Sequence, residues 1–248
     1  MKDTRTVVIK IGTSTIMNDG LRGRTIDERV MSCLVEDVAI LWKKGWNVAI
    51  VTSGAVGMGM VREGWDVQVA AMVGQPDLIN AYKRCFLEGY GIYAGQLLLT
   101  ASDFTTEGRA KKRVIRPLHK AFAARVIPLI NENDGTSDIR NTLGDNDLLA
   151  ARVVISIRAD EFAIMSVKNS AAKGRGGCKS KIEAIHMVQQ AGIPVHVVDG
   201  KREHIIRDVL LNGDRSGHDS VMEMKSLFRN GKMTNTKAFI NERKKIVC

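Results

Sequence analysis

The chain has 248 residues, 44% of them hydrophobic, with 5% aromatics and 4 prolines; this suits one substantial α/β domain or two tightly joined lobes, cored by Val, Ile, Leu, Met and Ala, and excludes extended disorder. A net charge of +10 raises nucleic acid as a partner, yet the basic residues are scattered. Local clusters at Lys111-Lys112-Arg113 and Arg243-Lys244-Lys245 lack interleaved aromatics for base stacking, so solvated helix faces and a basic tail are expected rather than nucleic-acid binding, and the same field would concentrate a polyanion such as ATP.

Residues 6–11 (T-V-V-I-K-I) form a β-branched run that predicts a first strand ending at Gly12. The residues before it leave no room for a signal peptide. No apolar run reaches the roughly 18 residues needed to span a bilayer, so a cytoplasmic chain without membrane contact is expected. Residues 26–44 carry Val30, Leu34, Val38 and Leu41 at helical spacing and close at Gly45; residues 46–52 predict a strand ending at Ser53-Gly54. Helix is then predicted over 67–88, strand over 92–99, helix over 109–124 and strand over 126–130. Helix over 148–157, strand over 161–167, helix over 182–191, strand over 194–198 and helix over 202–211 complete the series. Beyond Asn212 the periodicity fades into a turn-rich segment, where an edge hairpin and tail are expected. Such alternation implies crossover units: a three-layer α/β/α sandwich with a mainly parallel central sheet. Ligands of these sheets sit at the carboxyl ends of the strands, and the polar clusters fall there. The four cysteines, Cys33, Cys85, Cys178 and Cys248, show no C-x-x-C pair, which suits a reducing compartment and predicts no metal site.

The densest chemistry lies between Pro128 and Asp147. An apolar run ends in Asn131-Glu132-Asn133-Asp134, and Gly144-Asp145-Asn146-Asp147 opens the next helix. Together these groups suit a small ligand bearing both an ammonium and a carboxylate, although an Asn/Asp-rich turn and an ordinary helix cap would explain either half alone. Lys10 stands at the end of a buried strand beside the Gly12-Thr13-Ser14 loop. An ammonium there is costly unless it reaches an anion, or unless the strand is an edge from which it snorkels to water. Ser53-Gly54 begins a glycine-rich strand-to-helix turn whose N–H groups and hydroxyl suit an oxyanion, the alternative being close helix packing. Gly174-Arg175-Gly176-Gly177-Cys178-Lys179-Ser180-Lys181, read as a loop before a helix at Ile182, describes a phosphate cradle with Lys181 aimed at a transferring group. No histidine accompanies these clusters. A carboxylate acceptor needs no base, because it is already ionised at pH 7. Lysines and backbone dipoles would stabilise the phosphoryl oxygens, so the inventory favours phosphoryl transfer to a carboxylate.

The motifs V-V-I-K-I-G-T-S, V-T-S-G-A-V-G-M-G, A-M-V-G-Q-P-D-L, Y-G-I-Y-A-G-Q-L-L-L-T, V-I-P-L-I-N-E-N-D and G-D-N-D-L-L-A resemble the glutamate 5-kinases of the amino acid kinase family. The resemblance covers about residues 6–166, resumes at G-R-G-G-C-K-S-K and weakens toward the tail. It implies the amino acid kinase fold and ATP-dependent phosphorylation of the γ-carboxylate of L-glutamate, the first step of proline biosynthesis. Lys10 and Lys181 would stabilise the phosphoryl group and Asp147 would hold them. Ser53, Asp134 and Asn146 would bind glutamate, with Asp134 facing its ammonium. Lys10, Gly12, Gly54, Ser166, Gly176, Gly177 and Lys181 would serve the phosphates and nucleotide. Mg2+ would arrive with ATP. The resemblance further implies proline as feedback inhibitor, a glutamyl phosphate reductase as functional partner, and a homo-oligomer, dimer or tetramer. The expected division is an amino-acid-binding lobe over 1–159 and a nucleotide lobe over 160–248. Two departures stand out. Met165-Ser166-Val167-Lys168-Asn169 leads almost directly to Gly174, without the family's T-D-x-x-G-L-Y segment, which abbreviates the nucleotide region. The RNA-binding-like C-terminal PUA domain of many bacterial members is expected to be lacking. Alternatives are a catalytically silent relative acting as an amino-acid sensor or assembly partner, and a kinase for a related carboxylate.

Overall fold

The computed structural model describes residues 4–20, 23–61, 64–136, 146–167 and 177–213. The first half runs β1 (Thr6–Ile11), α1 (Thr13–Ile16), β2 (Met17–Gly20), β3 (Gly23–Ile26), α2 (Glu28–Lys43), β4 (Asn47–Val51), α3 (Ala55–Gly59), α4 (Val67–Tyr90) and β5 (Ala94–Leu99). After a short 3-10 turn, α5 (Glu107–Ala110), a π-helical segment (Lys111–Ile115) and α6 (Arg116–Ala123) form one continuous helical stretch. Then follow β6 (Ile127–Glu132), α7 (Asn146–Ile157), β7 (Glu161–Ser166), α8 (Gly177–Gln190), β8 (Val195–Asp199) and α9 (Ile205–Asn212).

Six strands pair in the order β5-β6-β4-β1-β7-β8, every pairing parallel. The expected three-layer sandwich is therefore the observed one. Strand alternation divides the core between its two faces. Val7, Ile9 and Ile11 of β1 join a layer with α2, α4 and α9. Val8, with Val51, Ile130 and Ile164, joins the layer under α6, α7 and α8. Lys10 takes the next position on that second face, where periodicity would otherwise place another aliphatic residue.

Local chemistry explains the boundaries. Asp27 caps α2 by accepting the Val30 N–H at 3.2 Å, and Asp66 caps α4 through the Val69 N–H at 2.8 Å, as short acidic side chains do at helix starts. Gly91, in the left-handed conformation, ends α4. Gly59 and Gly74 make the α3–α4 approach possible, since a β-carbon at 59 would overlap the Ala70 carbonyl and one at 74 the Ala55 carbonyl. That close packing is what the glycines after Gly54 provide.

Small shifts of one to three residues aside, three features differ from the sequence reading. A β2–β3 hairpin occupies residues where no element was expected. β6 continues through Asn131 and Glu132, because their polar atoms find partners within the fold. α8 begins at Gly177 rather than Ile182, so Lys179, Ser180 and Lys181 belong to the first turns of a helix and not to a loop. The predicted hairpin and tail beyond residue 213 lie outside the described residues, as do Gly174, Arg175 and Gly176.

Candidate active site

Because the strands are parallel, their carboxyl ends share one edge, and β1 occupies its middle. Lys10 pairs in register with Val51 of β4 on one side and Ile164 of β7 on the other. An edge-strand lysine open to water is thus ruled out: Lys10 is 5% exposed in a central strand. Its ammonium extends along the strand axis toward Gly12, where a β-carbon would stand 3.6 Å from Nζ. Asp147, in the first turn of α7 and equally buried, places Oδ1 2.5 Å from that Nζ. The first turn of a helix favours a carboxylate. Desolvating both charges is expensive, and removing one partner of such a pair commonly costs about 3–5 kcal/mol. The charges are held where the strands end, beside glycine.

Ser53 and Asn146 meet at the same edge. Asn146, the residue before Asp147, donates from Nδ2 to Ser53 Oγ at 3.0 Å and accepts the Glu132 N–H on Oδ1 at 3.1 Å. One dipeptide therefore joins the ends of three strands: Asp147 reaches β1, while Asn146 reaches β6 and Ser53, the second residue after β4. Between Ser53 and α3, Gly54 adopts φ +120°, which an L side chain rarely tolerates; a β-carbon there would also overlap Met17. Asp134 lies half-buried in the turn following β6.

On the other side of β1, Lys181 donates to Ser166 Oγ at 2.6 Å. Ile11 is in register with Met165, so Ser166 stands level with Gly12 one strand away, about 5 Å across the sheet. Lys10 and Lys181 thus occupy neighbouring strand ends. Lys181 sits in the opening turns of α8, where the helix dipole adds positive potential. Gly177 starts that helix, and Gly176 is outside the described residues. Cations, a helix start and strand-end amides form a donor set for phosphate oxygens rather than for a bare metal ion; among the described residues no group of three or more His, Cys, Asp or Glu could hold one.

Residues 5–169 match the model of the amino acid kinase family. The chain belongs to that family. As an amino acid kinase it is similar to the glutamate 5-kinase of Clostridium tetani, 31% identical over 252 residues that cover 85% of this chain and 92% of the relative. It is 35% identical to the glutamate 5-kinase of Saccharophagus degradans over 245 residues, covering 81% of this chain but only 63% of that relative's length. The fold is shared with isopentenyl phosphate kinase, at TM-score 0.62, 13% identity and coverage of 85% of this chain and 97% of that one. A carbamate kinase from Giardia lamblia bound to AMP-PNP gives TM-score 0.57 at 14% identity, covering 86% and 97%. At those identities the structural likeness concerns the fold alone.

Gln75 had no role in the sequence reading, and Asn131 figured there only as part of the polar cluster after the strand. Asn131 donates from Nδ2 to Gln75 Oε1 at 2.7 Å, and both are buried. The available signal was a glutamine directly before Pro76 and after the largely apolar run of residues 69–74. Among the described residues no helix is long and apolar enough to cross a membrane.

Proposed function

We propose that this chain transfers the γ-phosphoryl group of ATP to the γ-carboxylate of L-glutamate, giving L-glutamyl 5-phosphate and ADP as the first step of proline biosynthesis. The observation that carries this reading is the buried Lys10–Asp147 pair, 2.5 Å between charged atoms, at the strand edge shared by Ser53, Asn146 and Lys181. The names of the similar relatives support the same substrate.

In this reading a γ-carboxylate oxygen attacks the terminal phosphorus, a new O–P bond forms, and the bond to the bridging oxygen breaks as ADP departs. No proton need be removed, consistent with a site built without histidine. The difficulty is repulsion between two anions, and fixed positive groups lower it because they are already oriented when charge spreads over the equatorial oxygens. Lys10, anchored by Asp147, would approach those oxygens from the amino-acid side. Lys181, which rests on Ser166, would approach them from the nucleotide side, with Gly12, Gly54 and the start of α8 supplying N–H groups. Ser53 and Asn146 would orient glutamate, and Asp134 would take its ammonium. Magnesium, carried by the nucleotide, would neutralise phosphate charge.

The same reading assigns residues 1–159 to the amino acid and 160–248 to the nucleotide, in one continuous kinase domain. It further places the chain in the cytoplasm as a homo-oligomer, with proline as feedback inhibitor and a glutamyl phosphate reductase taking the labile product. The test is glutamate-dependent ADP release by the purified chain, with hydroxylamine trapping of the acyl phosphate. Release and trapping with L-glutamate are expected. Preference for another carboxylate in a substrate panel would replace the assigned acceptor, and binding of glutamate without turnover would favour a sensor.

A further inference from the structure

Gln75, on the buried side of α4, has an orientation dictated by the backbone. The Glu132 N–H can only donate, and it donates to Asn131 Oδ1 at 2.9 Å. Asn131 must therefore turn its Nδ2 toward Gln75, whose Oε1 accepts it at 2.7 Å. Exchanging O and N on Gln75 would set two amino groups face to face. Its Nε2 is consequently directed away from Asn131, and there it is buried without a hydrogen-bond partner. A buried donor left unsatisfied is costly, so this one calls for an acceptor that the chain itself does not supply.

The position is also fixed. Gly74 is pressed against α3 so closely that a β-carbon would overlap the Ala55 carbonyl, which holds Gln75 between the turn after Ser53 and the end of β6. The Glu132 N–H that orients Asn131 is shared with Asn146 Oδ1 at 3.1 Å, and Asn146 binds Ser53. Gln75 thus ends a continuous polar chain that runs through Asn131 and the Glu132 N–H to Asn146 and Ser53, the last two proposed above to orient glutamate.

We propose that Gln75 recognises the α-carboxylate of the amino-acid acceptor, an inference that rests on the glutamate kinase reading. A substrate whose γ-carboxylate faces Lys10 and whose ammonium faces Asp134 has one charged group left. Gln75 reaches β6 through Asn131, on the sheet face opposite Lys10, and a carboxylate held beside Asp134 needs an N–H donor that brings no further negative charge. A neutral amide offers donors without adding a charge.

The experiment compares wild type with Gln75→Met and Gln75→Glu in the full chain, using calorimetric binding of L-glutamate and of 4-aminobutyrate, which is glutamate without the α-carboxylate. Gln75→Met is expected to weaken glutamate binding about tenfold to hundredfold, the range of a hydrogen bond to a charged group. It should leave 4-aminobutyrate within twofold, while the melting temperature falls modestly because Asn131 Nδ2 loses its acceptor. Gln75→Glu, which puts a negative charge against the carboxylate, should lose more and provides the readout if the methionine variant folds poorly. Glutamate affinity within twofold of wild type in both variants would overturn the assignment, as would equal weakening of the two ligands, which marks a structural role acting through Asn131. Wild type that binds glutamate but does not turn it over removes the kinase reading and leaves the Gln75 assignment testable; wild type that binds no glutamate removes both.

Discussion

Two buried carboxylates lie on opposite faces of the sheet, and their partners set them apart. Asp147 and Asp37 have side-chain exposures of 3% and 2%. Asp37, on α2, accepts the Arg207 N–H at 3.1 Å and lies 3.0 Å from His204 Nδ1, which fastens α2 to the start of α9. Its partners are a backbone amide and a ring that cannot extend further. Asp147 faces instead a flexible four-carbon ammonium with three donors, rising from the middle strand toward the ligand edge. Similar burial thus serves a clasp in one place and, in the proposed mechanism, a reagent in the other. The distinction comes from what the partner can still reach, not from the depth of the charge.

Breaking the reagent pair should give the largest effect. Lys10→Met is expected to lower kcat about 100-fold to 1000-fold, as when a preorganised donor to a developing oxyanion is removed. It should also destabilise the fold by roughly 3–5 kcal/mol, because Asp147 loses its buried counter-charge. The double variant Lys10→Met/Asp147→Asn separates the two: urea denaturation should recover most of the stability, while steady-state turnover stays low. Recovery of turnover together with stability would move Lys10 into the same class as Asp37.

Breaking the clasp should do the reverse. Asp37→Ala removes the acceptor for the Arg207 N–H and the partner of His204, so a loss of about 2 kcal/mol in urea denaturation is expected. The kcat and both KM values should remain within twofold, since α2 and α9 meet outside the Lys10 face. A tenfold change in turnover would mean that the two faces are coupled through the sheet.

The sandwich and most of its strands were legible because β-branched runs and helical spacing are local signals. So was the gathering of polar groups at the strand ends, for the reason that lysine in V-V-I-K-I and paired amides in I-N-E-N-D have no place in an apolar layer. What could not be read depended on distant partners. Asn131 and Glu132 look like a turn until Gln75 and Asn146, far along the chain, supply hydrogen bonds that keep them in β6. The opening turns of α8 look like a loop because Gly177 and Cys178 are poor helix formers by local preference, and tertiary packing of α8 against α7 overrides it. The β2–β3 hairpin carries too few apolar residues to announce itself. Asp37 gave no signal either, since an acidic residue in a helix normally reads as solvent-facing.

The smallest expected effect is the pH dependence of the clasp. Burial raises the Asp37 pKa above its ordinary 3.8, while the Arg207 N–H, His204 and the Arg207 charge act in the opposite direction. The folded state therefore holds this proton more tightly than the unfolded chain. Any stability gained from that preference is complete below the ordinary value and is lost as pH rises through the folded one. Asp37→Asn mimics the protonated acid: its oxygen can accept the Arg207 N–H and its amide can donate to His204 Nδ1. The stability of wild type relative to this variant should fall as pH increases from about 3.8 upward, with a slope below one proton, at most about 1.4 kcal/mol per pH unit. His204, Glu36, Cys33 and Tyr90 also face this region, so the quantity to measure is the difference between the two proteins in parallel urea titrations, in which the shared groups cancel. A relative stability that rose with pH over that window would mean that the ionised Asp37 is favoured by its partners, and the clasp would then be an ion pair of the same kind as Lys10–Asp147.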